Sequence, residues 1–196
     1  QLDGVKCAFV APTYSLPETE DTVSPYTYAT REEFGSVQTW QTGFSGEGMR
    51  IAIVDTGLDL DHPSFAAEPP LAESSLTKEE LAEVLPQTNA YKAYSGVLGL
   101  SPETVYHSGK IPFAFNYADV NLDATHDNDN QGDHGTHVAG IAAANRMENT
   151  DAVGVAPDAQ LIIMKVFGAT AGGQFDDVLA CLEDCFILNV DAVNMS

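Results

Sequence analysis

Residues 49–57 have the sequence Met-Arg-Ile-Ala-Ile-Val-Asp-Thr-Gly, a nearly continuous apolar run that stops abruptly at Asp55. A run of this length and composition predicts a parallel strand that is buried on both faces. Thr56 and Gly57 permit a tight turn directly after it. In an open sheet built of such strands, ligands and catalytic groups collect at the carboxyl ends. Asp55 is therefore the first candidate for a functional residue.

Strand and helix patterns alternate along the rest of the chain. Three further apolar runs predict strands at Phe113–Tyr117, Leu161–Phe167 and Asp191–Met195. Apolar residues at helical spacing predict helices, which fall at residues 32–43, 74–87, 134–145 and 175–188. This alternation predicts an α/β fold whose largely parallel sheet carries helices on both faces. We expect the sheet to be truncated after about four strands.

The chain divides into a polar N-terminal part and a folded part. Residues 1–29 are rich in Pro, Thr and Glu and predict an extended tail or linker, with one short strand at Val5–Val10. Residues 30–196 contain all the other predicted elements. Within them, residues 66–110 are expected to form an insertion, whose one clear helix begins with a Ser or Thr cap and is broken by Pro86.

Composition excludes several classes of partner. The chain has 8 Lys and Arg residues against 29 Asp and Glu residues, for a formal net charge of −21. A surface this acidic repels phosphate backbones and anionic lipids, so we expect neither nucleic acid nor a membrane surface as a partner. No apolar run is long enough for a membrane span. The first residues also lack the basic and apolar regions of a signal peptide.

The three cysteines, at positions 7, 181 and 185, match neither a disulfide framework nor a zinc pattern. Cys181 and Cys185 are four positions apart in a predicted helix, so they share one helix face. We expect both to be small buried apolar residues, and we expect no catalytic cysteine.

A second candidate residue comes from the block DHGTHVAG at residues 133–140. His134 falls in the first turn of a predicted helix made of Gly, Ala, Val and Thr, and such small residues let a helix approach a sheet closely. A carboxylate beside His134 would hold the proton on one ring nitrogen and leave the other nitrogen free as a general base. Asp55, at the end of its strand, is the expected partner.

Three blocks of the chain, in this order, resemble the subtilases, the subtilisin-like serine proteases. They are IAIVDTGLDLDHPSF at 51–65, GDHGTHVAGIAAA at 132–144 and GVAPDAQLIIMKVFG at 154–168, which continues with GGQFDDVLACLEDCFILNVDAVNMS at 172–196. The resemblance implies a subtilisin-like parallel sheet and a serine endopeptidase that hydrolyses peptide bonds in proteins through an Asp-His-Ser triad. It places the catalytic aspartate at Asp55 and the catalytic histidine at His134, and it gives His137 a structural role.

The spacing of the two candidate residues is similar to one branch of that family. Asp55 and His134 are 79 positions apart, and this length and the segment before His134 resemble the cell-envelope proteases, the lactocepins and C5a-peptidase-like enzymes. The likeness implies a secreted or cell-wall protein of bacterial origin that acts on protein and peptide substrates. LDGVKCAFVAPTYSLPET at residues 2–19 resembles the end of a subtilase propeptide, so residues 1–29 are expected to be a propeptide remnant and linker. This implies a zymogen with its own propeptide as a partner.

The chain departs from the family pattern at the nucleophile. Subtilases place the serine in a GTSMA-like block that opens a helix, and Gly-Thr-Ser does not occur here. Ser196 resembles the start of the substrate-binding edge and is rejected as the nucleophile, and Asn194 does not match the oxyanion-hole asparagine. We therefore expect the isolated chain to be inactive, although the parent protein is a protease. The alternative is a non-catalytic binding or scaffold module derived from a subtilase, and the sequence after Ser196 would distinguish the two.

No cofactor is expected for catalysis, and no metal ligand is assigned. Residues 127–132 (DNDNQG) imitate the start of an EF-hand loop, but Val138 stands where a bidentate Glu is needed, so calcium is possible but unsupported. Ser64 stands where many subtilases carry a calcium-binding aspartate. A metal hydrolase with His134, His137 and an aspartate as ligands is disfavoured, because zinc-protease helices carry two His four apart with a Glu between them.

Overall fold

The computed structural model describes residues 10–15, 35–127, 129–147, 153–169 and 172–196. It contains a short antiparallel pair, β1 (Thr13–Tyr14) and β5 (Gly173–Gln174), and a separate four-stranded parallel sheet. The strands of that sheet lie in the order β3-β4-β2-β6, where β2 is Arg50–Asp55, β3 is Phe113–Asn116, β4 is Gln160–Lys165 and β6 is Ala192–Met195.

Helices connect the strands. They are α1 (Ser36–Gln41), α2 (Lys78–Val84), α3 (Asn89–Leu98), α4 (Pro102–Val105), α5 (His134–Ala143) and α6 (Phe175–Ile187), with short 3-10 turns at Pro63–Phe65 and Leu85–Gln87. All four predicted strands of the sheet are present, and their bounds differ from the predicted ones by one or two residues. The prediction of an α/β fold with a parallel sheet is confirmed.

The two faces of the sheet are covered by different helices, as β4 illustrates. Ile162 and Met164 belong to a core that includes residues of α2, α3, α4 and α6. Leu161 and Ile163 point the other way and belong to a second core, which α5 closes. Because successive side chains of a strand alternate between faces, a strand covered on both sides must be apolar throughout. The helices on both faces therefore explain the uninterrupted apolar runs of the sequence.

Residues 66–110 contribute three helices to the first of these cores. Leu81, Leu85 and Ala90 are buried there against the sheet. The predicted helix of this segment is present as α2, and the side chain of Thr77 caps it by accepting the backbone N–H of Glu80 at 3.2 Å. Helices α3 and α4 were not predicted. The segment is thus part of the packed core of the sheet, whatever its origin as an insertion.

A buried carboxylate joins this segment to α6. Asp184 is fully buried and accepts the first backbone N–H groups of α3, from Asn89 at 2.6 Å and from Ala90 at 3.1 Å. Its second oxygen also accepts the hydroxyl of Tyr117 at 2.8 Å. Burial raises the pKa of Asp184, and the bonds from Asn89, Ala90 and Tyr117 oppose that rise. These bonds fix α3 against α6, since the N–H groups at a helix start have no partner within the helix.

The N-terminal part is described only at residues 10–15. Thr13 lies opposite Gln174 and Tyr14 opposite Gly173 in the β1–β5 pair. The predicted strand Val5–Val10 falls outside the described residues except for Val10, which is exposed and not part of a strand. Most of the predicted linker and Cys7 also fall outside them. In the described part of the chain, no helix has the length and apolarity that a membrane crossing requires.

Candidate active site

Asp55 ends β2 in a fully buried position. A buried carboxylate is costly unless hydrogen bonds or a charge compensate it. Here the backbone N–H of Thr56 donates to Asp55 Oδ1 at 2.7 Å, and the ring of His134 supplies the second contact. The acid that ends the apolar run is therefore held at the carboxyl edge of the sheet.

Helix α5 brings His134 to that edge. Its buried residues are Gly135, Ala139 and Ala143, so the face toward the sheet carries almost no side-chain bulk. A Cβ atom on Gly135 would lie 2.2 Å from the carbonyl oxygen of Gly57 and 3.2 Å from Asp55 Oδ1. The start of the helix thus touches the turn after β2 directly, which is why the sequence needs glycine there.

The imidazole of His134 faces the carboxylate of Asp55. The ring Nδ1 lies 2.8 Å from Asp55 Oδ1 and 3.0 Å from Oδ2, and the imidazole is 22% exposed. A carboxylate accepts only, so this contact places a proton on Nδ1. The other ring nitrogen, Nε2, is then free to take a proton from a nucleophile, as in a general base.

Thr56 links the turn after β2 to the start of α5. Its hydroxyl accepts the backbone N–H of Gly135 at 3.0 Å and lies 3.3 Å from the carbonyl of Gly132. The N-cap residue Asp133 makes no side-chain capping bond. Thr56 therefore satisfies an orphan N–H of the helix that carries His134.

Ser196 contacts the acid of the pair and not the base. Its hydroxyl oxygen lies 3.2 Å from Asp55 Oδ2 and 3.0 Å from Asn194 Oδ1. A serine nucleophile must reach the imidazole nitrogen that is not bound to the acid. The position of Ser196 agrees with its exclusion as the nucleophile.

The other histidines lie apart from the pair. His137 is exposed on α5. His62 accepts the backbone N–H of Ser64 at 3.2 Å and so caps a 3-10 turn, which is a structural role. His107 Nε2 lies 3.7 Å from Asp61 Oδ1. In the loop before α5, His126 Nδ1 lies 4.0 Å from Asp127 Oδ1.

The acidic loop before α5 has partners within the protein. Asp129 Oδ1 accepts the backbone N–H of Gln131 at 2.9 Å, and Asp129 Oδ2 accepts the ammonium group of Lys165. The hydroxyl of Ser64, where the family resemblance led us to look for a calcium-binding aspartate, lies 3.8 Å from the sulfur of Met147. Among the residues that the structure describes, no three His, Cys, Asp or Glu side chains are placed to share a metal ion.

Two residues beside the pair were missed at the level of sequence, Thr56 and Lys165. Thr56 follows Asp55 directly, and only a role in the tight turn was predicted for it. Lys165 ends β4 directly opposite Asp55 in the sheet and is almost fully buried. A lysine in an otherwise apolar strand was the available signal, because a buried cation requires an acidic or carbonyl partner nearby.

The two cysteines of α6 are buried, as predicted. Burial raises the pKa of Cys185 to about 12, and the nearby carboxylate of Asp184 adds to the rise. Burial raises the pKa of Cys181 as well. Since the thiolate is the nucleophilic form, both thiols are unreactive at neutral pH.

Comparison with known proteins places these features in a family. A family model described as "Subtilase family" (Peptidase_S8) matches residues 46–196. The chain is 34% identical over 161 residues to the PI-type proteinase of Lactococcus lactis subsp. cremoris, which covers 78% of the chain and 8% of that protein. It is 30% identical over 177 residues to the minor extracellular protease Vpr of Bacillus subtilis (strain 168), which covers 90% of the chain and 17% of that protein.

A solved structure with a similar chain trace is the CspB protease of Clostridium perfringens, at 19% identity and a TM-score of 0.47, covering 86% of this chain and 33% of that one. The chain thus spans less than a fifth of the length of the two relatives from Lactococcus and Bacillus.

Proposed function

The chain belongs to the subtilase family, and on that basis we propose that it supplies the aspartate and the histidine of an Asp-His-Ser triad that hydrolyses peptide bonds in proteins. In this proposal Asp55 fixes the ring of His134 and stabilises its charged form, and His134 moves a proton between the nucleophile and the leaving group. The observation that carries the proposal is the 2.8 Å contact between Asp55 Oδ1 and His134 Nδ1.

The burial of the pair supports this role. Asp55 is withdrawn from solvent while the imidazole is 22% exposed, so water and substrate can reach the ring but not the carboxylate. A buried carboxylate interacts more strongly with the charge that develops on an imidazolium, because the surroundings screen it less than water does. The pair is thus suited to proton transfer at the carboxyl edge of the sheet.

The nucleophile is proposed to lie in sequence after Ser196. The chain contains no Gly-Thr-Ser block, and the serine that does touch the pair binds the acid. Loss of the nucleophile in a triad of this type costs on the order of 10⁶ in kcat. The 196-residue chain alone is therefore expected to be inactive, and a longer product of the same gene is expected to be a protease.

Casein hydrolysis tests this proposal with two matched histidine variants in the longer protein. His134→Ala should lower kcat by about 10⁶-fold, because the general base is lost. His137→Ala changes an exposed residue of the same helix, to which the resemblance gives a structural role and no part in proton transfer, so kcat should stay within about threefold. A longer protein in which His134→Ala keeps its activity would refute the triad, and specific, His134-dependent turnover by the 196-residue chain would refute its expected inactivity.

Residues 1–29 are proposed to be a remnant of the protein's own propeptide followed by a linker. Support comes from the antiparallel pairing of Thr13 and Tyr14 with β5, which the backbone N–H of Phe175 extends by donating to the carbonyl of Pro12 at 3.1 Å. A Cβ atom on Gly172 would lie 2.1 Å from the carbonyl oxygen of Tyr14, so the two backbones are in direct contact. The segment is thus held by backbone pairing with a short extended strand, as in peptide recognition by strand pairing.

A peptide with the sequence of residues 10–15 (VAPTYS) tests the propeptide role. It should inhibit a longer protein that lacks residues 1–29, and a scrambled peptide of the same composition should not. Equal effects of the two peptides would contradict the proposal.

We also infer that the protein is exported and acts at the cell envelope. The support is its likeness to an extracellular protease and to lactococcal PI-type and PII-type proteinases. The rival function is a non-catalytic binding or scaffold module built from a subtilase. A serine block after Ser196 favours the protease, whereas its replacement favours the module.

A further inference from the structure

Lys165 is a buried cation at the same sheet edge as the proposed catalytic pair. It ends β4 and lies opposite Asp55 in the parallel register between β4 and β2. The backbone continues this contact, since the N–H of Val166 donates to the carbonyl of Asp55 at 2.9 Å. The side chain of Lys165 is 2% exposed. A charge this deep persists only with polar partners around it.

The ammonium group has two partners, on two different segments. Lys165 Nζ donates to the backbone carbonyl of Thr56, in the turn after Asp55, and to the carboxylate of Asp129, in the loop before α5. The side chain of Asp129 is 3% exposed, so this is a buried ion pair. Lys165 therefore connects the turn that follows Asp55 to the loop that precedes His134.

His134 follows Asp129 by five residues, and the loop that contains Asp129 is also hydrogen-bonded to the segment after β4. The backbone N–H of Asn130 donates to the carbonyl of Ala169 at 3.1 Å, and the side-chain amide of Gln131 donates to the carbonyl of Gly168 at 2.9 Å. Both acceptors lie just after β4. These two hydrogen bonds and the ion pair between Lys165 and Asp129 thus fix the loop before α5 to the end of β4 and to the residues that follow it.

Thr56 is the point at which these bonds meet the catalytic carboxylate. Its N–H donates to Asp55 Oδ1, its hydroxyl accepts from Gly135, and its carbonyl accepts from Lys165. A shift of the Thr56 peptide would therefore move the acid's hydrogen-bond donor and the helix contact together. The hydrogen bond from Lys165 to the Thr56 carbonyl is the third of the contacts that restrain that peptide.

We propose that Lys165, paired with Asp129, is a positioning residue that holds the turn after Asp55 and the loop before His134 in register, so that the imidazole meets the carboxylate. The inference rests on the proposed function, because it assigns Lys165 to the geometry of that proton relay. Lys165 does not touch substrate in this role. It acts through Thr56 and through the loop.

The chain offers a matched control in a second buried lysine. Lys110 is also fully buried, and its ammonium group donates to the carbonyls of Pro157 at 2.8 Å and Ala159 at 2.7 Å. None of these partners touches Asp55 or His134. Lys110→Met should therefore cost stability without any effect on the imidazole, whereas Lys165→Met should affect both.

The test measures the Nδ1 proton resonance of His134 by NMR in the 196-residue chain, with hydrogen exchange as the check on folding. The wild type and Lys110→Met should show the downfield resonance of an imidazole bound to a carboxylate. Lys165→Met should lose it or shift it strongly. The double variant Lys165→Met/Asp129→Asn leaves no unpaired charge, so it should recover stability while the resonance stays lost.

The outcomes separate the two claims. A wild type without the resonance refutes the Asp55–His134 pairing and with it the proposed function. A wild type with the resonance, together with folded Lys165 variants that keep it unchanged, overturns only the role of Lys165. A double variant that does not fold shows that the pair is structural and also overturns that role. In the longer protein, Lys165→Met should lower kcat by roughly 10-fold to 10²-fold with KM unchanged, the effect of a misplaced catalytic group.

Discussion

Single residues set the distance between the sheet and the helix that carries His134. Gly57 has a positive φ of 104°, and a Cβ atom there would lie 2.3 Å from the carbonyl oxygen of Ala124. Gly135 meets the same turn from the helix side. At both positions the neighbour is backbone, which cannot swing aside as a side chain can. The contact between Asp55 and His134 therefore depends on the absence of a Cβ atom at both Gly57 and Gly135.

Two alanine substitutions in α5 test this dependence. Gly135→Ala should destabilise the protein by about 1–3 kcal/mol, because the helix must move away from the Gly57 carbonyl to make room. Gly140→Ala is the control: a Cβ atom there meets nothing within 4 Å, and alanine in a helix interior gains up to about 1 kcal/mol over glycine. Urea denaturation measures both. A Gly135→Ala protein as stable as the wild type would contradict the close contact.

At the scale of elements, the start of α6 concentrates acidic groups. Asp176 and Asp177 lie in its first turn, and burial raises the pKa of Asp177 to about 6, with the charges of Asp176 and Asp119 adding to the rise. An acid with a raised pKa in the folded state binds its proton more tightly there than in the unfolded chain. Its contribution to stability is therefore largest below pH 4 and is lost as the pH rises through about 6.

Asp177→Asn removes this pH dependence. At pH 7 the variant should be more stable than the wild type by up to about 1 kcal/mol, a figure reduced from the full shift because the residue is only partly buried and water screens its charge. At pH 4 the two proteins should differ little. Chemical denaturation at both pH values measures the difference. A wild type that is more stable than Asp177→Asn at pH 7 would contradict the prediction that the ionised Asp177 destabilises the folded protein.

The sequence identifies some elements better than others, for physical reasons. Strands such as Arg50–Asp55 are covered on both faces, so their apolar runs are strong signals. Helix α3 was missed because its residues are mostly polar or small, although Thr88 caps its start and Gly99 ends it at a positive φ of 64°. The β1–β5 pair was also missed, because two-residue strands carry no periodicity.

The candidate site was only partly visible in the sequence. The structure brings Asp55 and His134 together, as the order of their blocks led us to expect, while their catalytic roles stay predictions. Lys165 was missed because a strand pattern does not show which distant loop supplies the partner of a buried cation. Asp129 was weighed only as a calcium ligand, and in the structure it pairs with that lysine.

At the scale of the whole molecule, residues 66–110 and the sheet share one core. Leu81 is fully buried in it, in the same cluster as Phe113 and Met164 of the sheet. Contacts of this kind couple the segment to the stability of the strands that carry the site. The described part of the chain should therefore unfold as a cooperative unit and not as a sheet with a separate appendage.

Leu81→Ala tests that coupling. It should cost about 2–5 kcal/mol, the range for truncating a buried leucine, and should reduce hydrogen-exchange protection in β4 as well as in α2. Val97→Ala, in the same segment but 83% exposed, should change stability by no more than about 0.5 kcal/mol. Loss of protection confined to residues 66–110 would show that the segment folds independently of the sheet.

The account as a whole depends on which ring nitrogen of His134 carries the proton, and nitrogen-15 NMR of the ring measures this directly. At alkaline pH, where a histidine ring is neutral, the wild type should be protonated at Nδ1, toward Asp55. Asp55→Asn should lose that preference, because a carboxamide can donate to the ring as well as accept from it. A wild-type ring protonated at Nε2, or a tautomer that Asp55→Asn leaves unchanged, would contradict the pairing of the two residues.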